Sequence, residues 1–512
     1  MELPVGWAMA PLSDLVPPDG IFTDGDWVET KDQDPSGDVR LTQLADVGDG
    51  IFRDRSNRSM THEKATELRC TFLQKGDILV ARMPDPLGRA CLYPGSSRPA
   101  VTVVDVCVIR TGQRGVDNRW LMWAINSPRV RQQIHSYQTG TTRKRISRKN
   151  LEKVELAVPP LAEQHRIVEA LEDHLSRLDA GVAGVALAQA KAKRFISVLH
   201  GRAVSGGLSR PVCLDEAVDE ASVIEVSSSL ATRRWKPVPF VSIPGYRPPE
   251  NWTTVSLGTL SHASGYGTST KCDYEAPGYP VLRIPNVQGG SIDLSDIKNA
   301  IDPGLDLTKF SLDPGDLLFV RTNGSPSLIG RVGVVEKSLP YAFASYLIRF
   351  RLTPGVVEPR WVQLVTQSPL WRRAIEKYAA SSAGQYNLSA ETLSQLPVPI
   401  PPLDVQRETL EEVEAATSGA LRLSAASDVA MRRSDRLRTA VLQRAFTGRL
   451  VPQDPTDEPA SVLLDRIRTE REAQADKPKR ANRRPRKAAT VEAPPPPSAP
   501  SSIDAVQQEL PL

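Results

Sequence analysis

The sequence predicts an α+β protein built from two tandem copies of one domain, each followed by a long helix. Three observations carry that prediction. Six short motifs recur in the same order at nearly constant separation. Each copy opens with short β-like runs punctuated by turns, and each closes on a Pro-Pro pair that leads into a long run of helical periodicity.

The repeat begins with Pro4-Val-Gly-Trp7-Ala-Met-Ala-Pro-Leu12 and returns as Pro249-Glu-Asn-Trp252-Thr-Thr-Val-Ser-Leu257. Lys75-Gly76-Asp77-Ile78-Leu79-Val80-Ala81-Arg82 matches Pro314-Gly315-Asp316-Leu317-Leu318-Phe319-Val320-Arg321. Arg119-Trp120 and Ser127-Pro128 match Arg360-Trp361 and Ser368-Pro369. Pro159-Pro160-Leu161-Ala-Glu-Gln164 matches Pro401-Pro402-Leu403-Asp-Val-Gln406, and Ala203-Val-Ser-Gly206 matches Ala445-Phe-Thr-Gly448. One such match is chance; six in order are a tandem duplication.

Within each copy, Gly-Asp is a turn feeding a buried strand, Ile78-Leu79-Val80 in the first and Leu317-Leu318-Phe319-Val320 in the second. A second apolar run, 101–109 or 342–350, predicts one further strand. Around Trp120 and Trp361 the periodicity turns helical, with an end expected near Ser127-Pro128 and Ser368-Pro369. After the first Pro-Pro, Leu171, Leu175, Leu178, Val182, Val185, Gln189, Ala192, Ile196 and Leu199 alternate at spacings of four and three, which is a coiled-coil seam. Such a helix measures roughly 60 Å at about 1.5 Å per residue. The seam after the second Pro-Pro is weaker: Val413, Thr417, Ala420, Ser424 and Ser427.

These signals divide the chain into a first domain at 1–158, a first long helix at 159–208 and a linker at 209–245. A second domain at 246–400 and a second long helix at 401–450 follow, then a short C-terminal helix at 451–475 (its core Val462–Arg471). Residues 476–512 form a basic, Pro-rich tail expected to be disordered.

With 40% hydrophobic and 24% charged residues, the 512-residue chain has the balance of a globular protein of several domains. No apolar run suits a membrane span, and the acidic start argues against a cleaved signal peptide. Five scattered cysteines point to reduced thiols and a cytoplasmic setting. The net charge of +4 is misleading, because seven basic residues cluster between Lys477 and Lys487. With the three acids beyond them counted, residues 1–476 are neutral, so any nucleic-acid binding rests on local patches.

No motif supports catalysis. The Pro-Pro pairs lack the preceding Asn or Asp of an adenine methyltransferase site. Gly265-Tyr-Gly267-Thr-Ser-Thr-Lys271 lacks the glycine that precedes a phosphate-binding lysine. Carboxylates do not cluster as a nuclease metal site requires, and the six histidines are dispersed.

The most specific stretches lie in the second copy: Tyr279-Pro280-Val281-Leu282-Arg283-Ile284-Pro285-Asn286-Val287, then Gly384-Gln385-Tyr386-Asn387-Leu388-Ser389, then Leu396-Pro397-Val398-Pro399-Ile400-Pro401-Pro402-Leu403, with Gln406. Together with the terminal Ala445-Phe446-Thr447-Gly448-Arg449-Leu450-Val451-Pro452, they resemble the specificity subunits of Type I restriction–modification systems over roughly residues 1 to 470. The resemblance implies two target-recognition domains whose long helices pack as an antiparallel coiled-coil spacer. It also implies a non-catalytic subunit that reads a bipartite, asymmetric DNA target. The first copy departs from the pattern: Thr141-Thr142-Arg143-Lys144-Arg145-Ile146-Ser147 replaces the Gln-Tyr-Asn turn, and Leu282-Arg283-Ile284-Pro285 has no clean counterpart.

Candidate DNA contacts follow from the repeat. Arg143, Lys144 and Arg145, beside Arg148 and Lys149, either meet DNA or form a solvated basic loop. Gln385, Tyr386 and Asn387 occupy the equivalent turn; Gln and Asn suit adenine, and Arg suits guanine. Arg82 and Arg321 are either base contacts or structural ion pairs. Trp7, Trp120, Trp252 and Trp361 read as core anchors. Leu161, Gln164, Leu403 and Gln406 are candidate docking residues for two methyltransferase subunits, with restriction subunits also expected. No cofactor is expected on this chain; S-adenosylmethionine, ATP and magnesium would belong to those partners. Three other readings remain at this point: a standalone methyltransferase or nuclease with an unfamiliar site, an adapter of a methylation-only or other DNA-defence system, and a protein-binding scaffold without DNA specificity.

Overall fold

The computed structural model describes residues 3–84, 86–140, 144–231, 235–304, 306–382 and 384–475. Its two compact units are not consecutive in the chain. One joins the described residues up to Leu171 to those from Val441 onward, and the other spans Glu172–Ala440.

Each unit contains one copy of the repeated domain on the same frame. In the first, a four-stranded antiparallel sheet runs in the order Ile21–Asp24, Val106–Arg110, Ile78–Ala81, Ala90–Leu92. The second repeats this order with Ser261–Tyr266, Leu347–Leu352, Leu317–Val320 and Val332–Val334. A smaller sheet lies beside each, with Val39–Thr42 parallel to Ala100–Thr102 in the first and Pro280–Leu282 parallel to Ala342–Phe343 in the second. The Gly-Asp turns gain a function that the pattern did not reveal. Asp77 and Asp316, both buried, take bidentate hydrogen bonds from Arg110 (2.7 Å each) and Arg351 (2.8 Å each) on the neighbouring strand.

Three expectations are corrected. The second apolar run is two strands in each copy, because its halves bond to different sheets. A turn separates them, closed by Val106 N–H to Val103 O in the first copy and Leu347 N–H to Ala344 O in the second, both 2.9 Å. Pro128 and Pro369 do not end the helical region. Helices Asn118–Asn126 and Pro359–Gln367 stop at Ser127 and Ser368, and each proline then opens a new helix, Pro128–Ser136 and Pro369–Tyr378. Proline suits that first position, since its missing N–H would have no helical partner there. Finally, the stretch ending Arg283-Ile284-Pro285-Asn286 has a first-copy counterpart in Gln43-Leu44-Ala45-Asp46: both form one helical turn directly after the strand that runs parallel.

The ends of each domain are zipped together. Ala8–Pro11 pairs with Glu155–Val158, and Thr253–Ser256 with Pro397–Ile400, which brings each Trp motif beside its Pro-Pro pair. The tryptophans are core anchors: Trp7 Nε1 donates to Glu163 (2.9 Å), and Trp252 meets Trp361 edge-on at 5.7 Å.

The long helices are Leu161–Val204 and Leu403–Ala445. Within the second unit they run antiparallel. Asp179 pairs with Arg438, and ten residues further along the first helix Gln189 donates to Asp428 (3.0 Å), ten residues earlier on the second. The less exposed side of each helix follows the predicted seam. Thr417 and Ser427 enter it because their hydroxyls donate to the carbonyls of Val413 and Leu423 on their own helix (both 2.7 Å).

Gly206 and Gly448 end these helices with left-handed backbones (φ +75° and +68°), and the following N–H returns to Arg202 O (2.8 Å) and Arg444 O (2.9 Å). A Cβ on Gly206 would fall 2.9 Å from Pro249, and one on Gly448 would fall 2.5 Å from Pro4. Each domain's opening proline therefore rests on a helix end in its own unit.

The linker is more ordered than its prolines suggested. It holds helix Glu220–Leu230, capped by Asp219, which buries Val223 and joins Ser227 to Thr353 (2.8 Å) in the second unit. In the first unit, helix Ala460–Ala475 buries Ala460, Leu463 and Ile467, and Ala460 N–H reaches Gly6 O (2.8 Å). Among the described residues no helix is long and apolar enough to cross a membrane. The basic run 477–487 lies outside the described residues.

Candidate DNA-reading sites

The strand ending in Arg82 and the strand ending in Arg321 place these arginines at equivalent points. Arg82 N–H bonds to Asp105 O and its O accepts from Ile146, while Arg321 N–H bonds to Tyr346 O and its O accepts from Leu388. Their side chains do different work. Arg82 Nε donates to Ile146 O (3.0 Å), and its Nη1 donates to Val104 O (3.0 Å) and Asp24 Oδ1 (2.5 Å). With its side chain only 15% exposed, Arg82 is the structural ion pair of the two alternatives.

The residue equivalent to Asp24 on the first sheet of the second copy is Tyr266. Arg321 lies over its ring at 4.8 Å, and among the described residues it has no ion pair. Among the described residues its buried Nε has no hydrogen-bond partner. Tyr266 Oη accepts from Ala390 N–H (2.9 Å), which fixes the ring beneath the guanidinium.

A three-stranded sheet carries the Gln-Tyr-Asn turn next to this arginine. Gln385–Asn387 lies between Thr322–Asn323 and Ala380–Ser382. Asn387 uses its amide oxygen to accept from Thr322 Oγ1 (2.8 Å), and Tyr386 packs partly into the core. Gln385 is exposed, with no side-chain hydrogen bond among the described residues, so both edges of its amide are available. Tyr346 is 56% exposed at the strand break whose carbonyl holds Arg321. Sequence reasoning missed Tyr346 because it lay inside a run read as one strand.

In the first copy, Lys144 and Arg145 are exposed, and Arg145 closes a narrow bridge with Thr139 through reciprocal N–H···O bonds of 2.8 and 2.9 Å. Arg143 lies outside the described residues.

Among the docking candidates, Leu161 is exposed and Leu403 half-exposed. Gln164 and Gln406 are corrected to internal latches, since both are fully buried. Gln164 Nε2 donates to Pro159 O and its Oε1 accepts Asp117 N–H, both 2.9 Å. Gln406 repeats this with Pro401 O (2.8 Å) and Glu358 N–H (2.9 Å). Asp117 and Glu358 precede the Trp120 and Trp361 helices, so each latch ties its domain to its long helix. Among the described residues no group of three or more His, Cys, Asp and Glu is arranged to hold a metal ion.

The sequence profile of the Type I restriction modification DNA specificity domain matches the chain twice, over residues 4–181 and 249–424. The chain belongs to this specificity family. As a Type I specificity subunit, it recognises DNA sequence. The EcoKI specificity subunit of Escherichia coli (strain K12) is 27% identical over 358 residues, 68% of this chain and 70% of the relative. The EcoBI specificity subunit of Escherichia coli is 23% identical over 74% of this chain and 77% of its own length. The StySPI specificity subunit of Salmonella potsdam is 24% identical over 67% and 69%. In shape, the Type I specificity subunit matches a chain from a solved type I R-M system with a TM-score of 0.60. The identity is 18%, and the match covers 88% of this chain and 100% of that one.

Proposed function

We propose that this specificity subunit reads a bipartite, asymmetric DNA target, one half with each domain, while the antiparallel helices keep the half-sites apart. The observation that carries this reading is the pairing of one frame with two unlike edges: Arg82 bound to Asp24 in the first copy, Arg321 left over Tyr266 in the second. Two readers on one scaffold with different side chains suit two different half-sequences. The Arg321 guanidinium would suit a guanine edge and the Gln385 amide an adenine edge.

The chain itself performs no chemistry in this reading. Methylation and ATP-driven cleavage belong to two methyltransferase subunits and to restriction subunits, which supply S-adenosylmethionine, ATP and magnesium sites, and the assembly works in the cytoplasm. Exposed apolar side chains along the helices, including Leu187, Phe195 and Val198 on the first and Leu423, Val429 and Leu437 on the second, supply surface for such partners.

The test is a map of methylated bases in cells carrying this chain and its neighbouring methyltransferase subunit, compared with cells carrying Arg321→Ala. A split motif in which only one half relaxes supports the reading. Methylation that does not depend on this chain, with an active partner present, refutes it in favour of a scaffold.

A further inference from the structure

The loop between the helical turn Leu44–Asp46 and the strand Ser59–Met60 is fastened more heavily than a surface connection requires. Asp46 is fully buried, and its Oδ1 accepts the backbone N–H of Arg55 (2.6 Å) and of Ser56 (2.7 Å), while Oδ2 accepts that of Gln43 (2.7 Å). Arg53 N–H donates to Asp46 O (2.7 Å), and Ser56 Oγ donates to Leu41 O (2.9 Å). Arg40 pairs with both Asp46 and Asp54 and lies over the Phe52 ring at 5.5 Å. The backbone is thus fixed before any ligand arrives. Outward it presents Arg53, Asp54, Arg55, Asn57 and Arg58, all exposed, with the Asp54 carboxylate taken up by Arg40. Among the described residues none of these three arginines has an ion pair, and Arg58 has only Gln33 Oε1 at 3.3 Å.

The second domain shows that folding does not need those charges. Asn286 stands in the place of Asp46, and Asp293 N–H donates to Asn286 O (2.7 Å) as Arg53 does to Asp46 O. Asn286 Nδ2 then holds the loop through Asp293 O (2.8 Å) and Asp296 O (2.9 Å). Along this shared frame Asp293 takes the place of Arg53, Ser295 that of Arg55 and Lys298 that of Arg58. The buried polar residue is the structural requirement; the arginine cluster belongs to the first domain alone. The segment running into Gln33, beside Arg58, also carries Trp27, 71% exposed.

We infer that the loop Arg53–Arg58 is a phosphate-binding element of the first domain, gripping the backbone of duplex DNA beside the half-site that domain reads. Guanidinium groups match phosphate oxygens bidentately, and a loop ordered in advance loses little further entropy on binding. The inference rests on the DNA-reading assignment above and adds an asymmetry to it: one half of the target is held electrostatically by a loop that the other domain builds without the cluster.

The experiment titrates a labelled duplex bearing the mapped target with the complex of the full chain and its methyltransferase subunit, across a salt series. The variant Arg53→Asp/Arg55→Ser/Arg58→Ala uses, at two of its three positions, residues that the same frame already carries in the second domain. The slope of log affinity against log salt should become shallower by about 0.9 for each phosphate that the loop no longer neutralises, while the methylated sequence stays the same. Replacing all three arginines by glutamine, which keeps long polar side chains without the charge, should make the slope shallower in the same way and serves as the second variant if the first does not fold. An unchanged slope in a folded complex overturns the inference and leaves the DNA-reading assignment standing. Loss of methyltransferase binding with an unchanged slope overturns it too, in favour of a protein-binding role for the loop. If the unaltered complex does not distinguish the target from a scrambled duplex, the DNA-reading assignment itself fails.

Discussion

Arg321 lies 4.8 Å above the Tyr266 ring at the position where the first domain sets Arg82 against the Asp24 carboxylate. The two arginines should therefore respond to substitution in opposite ways. Arg321→Ala removes a cation–π interaction of about 0.5–1 kcal/mol and should scarcely move the unfolding midpoint. It should cost about 1–3 kcal/mol of target affinity if its guanidinium reads a guanine. Arg82→Ala removes hydrogen bonds to three groups and leaves Asp24 with only the longer contact to Arg148 at 3.7 Å, so stability should fall by about 1–3 kcal/mol. Thermal unfolding and DNA-binding titrations of both variants check this, and equal effects of both on stability would contradict it.

The Pro-Pro-Leu-x-x-Gln motif makes a second prediction, because its glutamine is buried rather than displayed. Gln164→Ala orphans Asp117 N–H and Pro159 O, and Gln406→Ala orphans Glu358 N–H and Pro401 O. Each should destabilise its own unit by about 1–3 kcal/mol. Denaturant unfolding should show the loss in the chain alone, before any partner is added. A variant that unfolds normally yet fails to bind a methyltransferase subunit would restore the docking role.

The duplication was legible because its markers are residues that a frame cannot easily exchange: Gly76 and Gly315 at φ +91°, the buried aspartates beside them, and the latching glutamines. The helical seam was legible for the same reason, since spacing alone fixes which side is covered. Other features depend on contacts that periodicity does not encode. The turn at Val103–Val106 follows from two halves of one apolar run choosing different sheets. Asp46 and Asn286 hold the same place and both accept the N–H three residues earlier, but toward the loop Asp46 accepts where Asn286 donates, so the first copy's version of that stretch did not look like the second's. Of the candidate site, the arginine and Gln-Tyr-Asn positions were visible. The partners that commit Arg82 and leave Arg321 over a tyrosine were not, because Asp24 and Tyr266 lie far from them in sequence.

Glu163 links the first domain's stability to pH. Burial pushes its carboxyl above the usual range, against the Trp7 indole hydrogen bond and the charge of Arg166, which both pull it down. The folded form then holds a proton that the unfolded form has released, so stability should decline as pH rises from the unfolded value through the folded one. Glu163→Gln keeps an oxygen for Trp7 Nε1 and removes the titration. Unfolding midpoints measured from acid to neutral pH should show a flatter profile for the variant and a higher midpoint at neutral pH. The second copy has Val405, fully buried, in the equivalent place, so a matching pH dependence is not expected from that site.

The glycines of the long helices separate stability from assembly. A Cβ added to Gly181, Gly184 or Gly419 would meet nothing within 4 Å, although glycine in a helix costs about 1 kcal/mol relative to alanine. Gly181 and Gly184 share a helix face with Ala188 and the exposed Phe195, and Gly419 shares one with the exposed Leu423 and Leu437. Small residues flanking exposed apolar ones allow another helix to approach closely. Gly184→Ala and Gly419→Ala should therefore each stabilise the isolated chain by about 1 kcal/mol while weakening its binding to the methyltransferase subunit, as measured by unfolding and by calorimetry. If both variants are more stable and bind the partner as well as before, that side of the helix pair is not the docking face, and the partner must sit elsewhere along the helices.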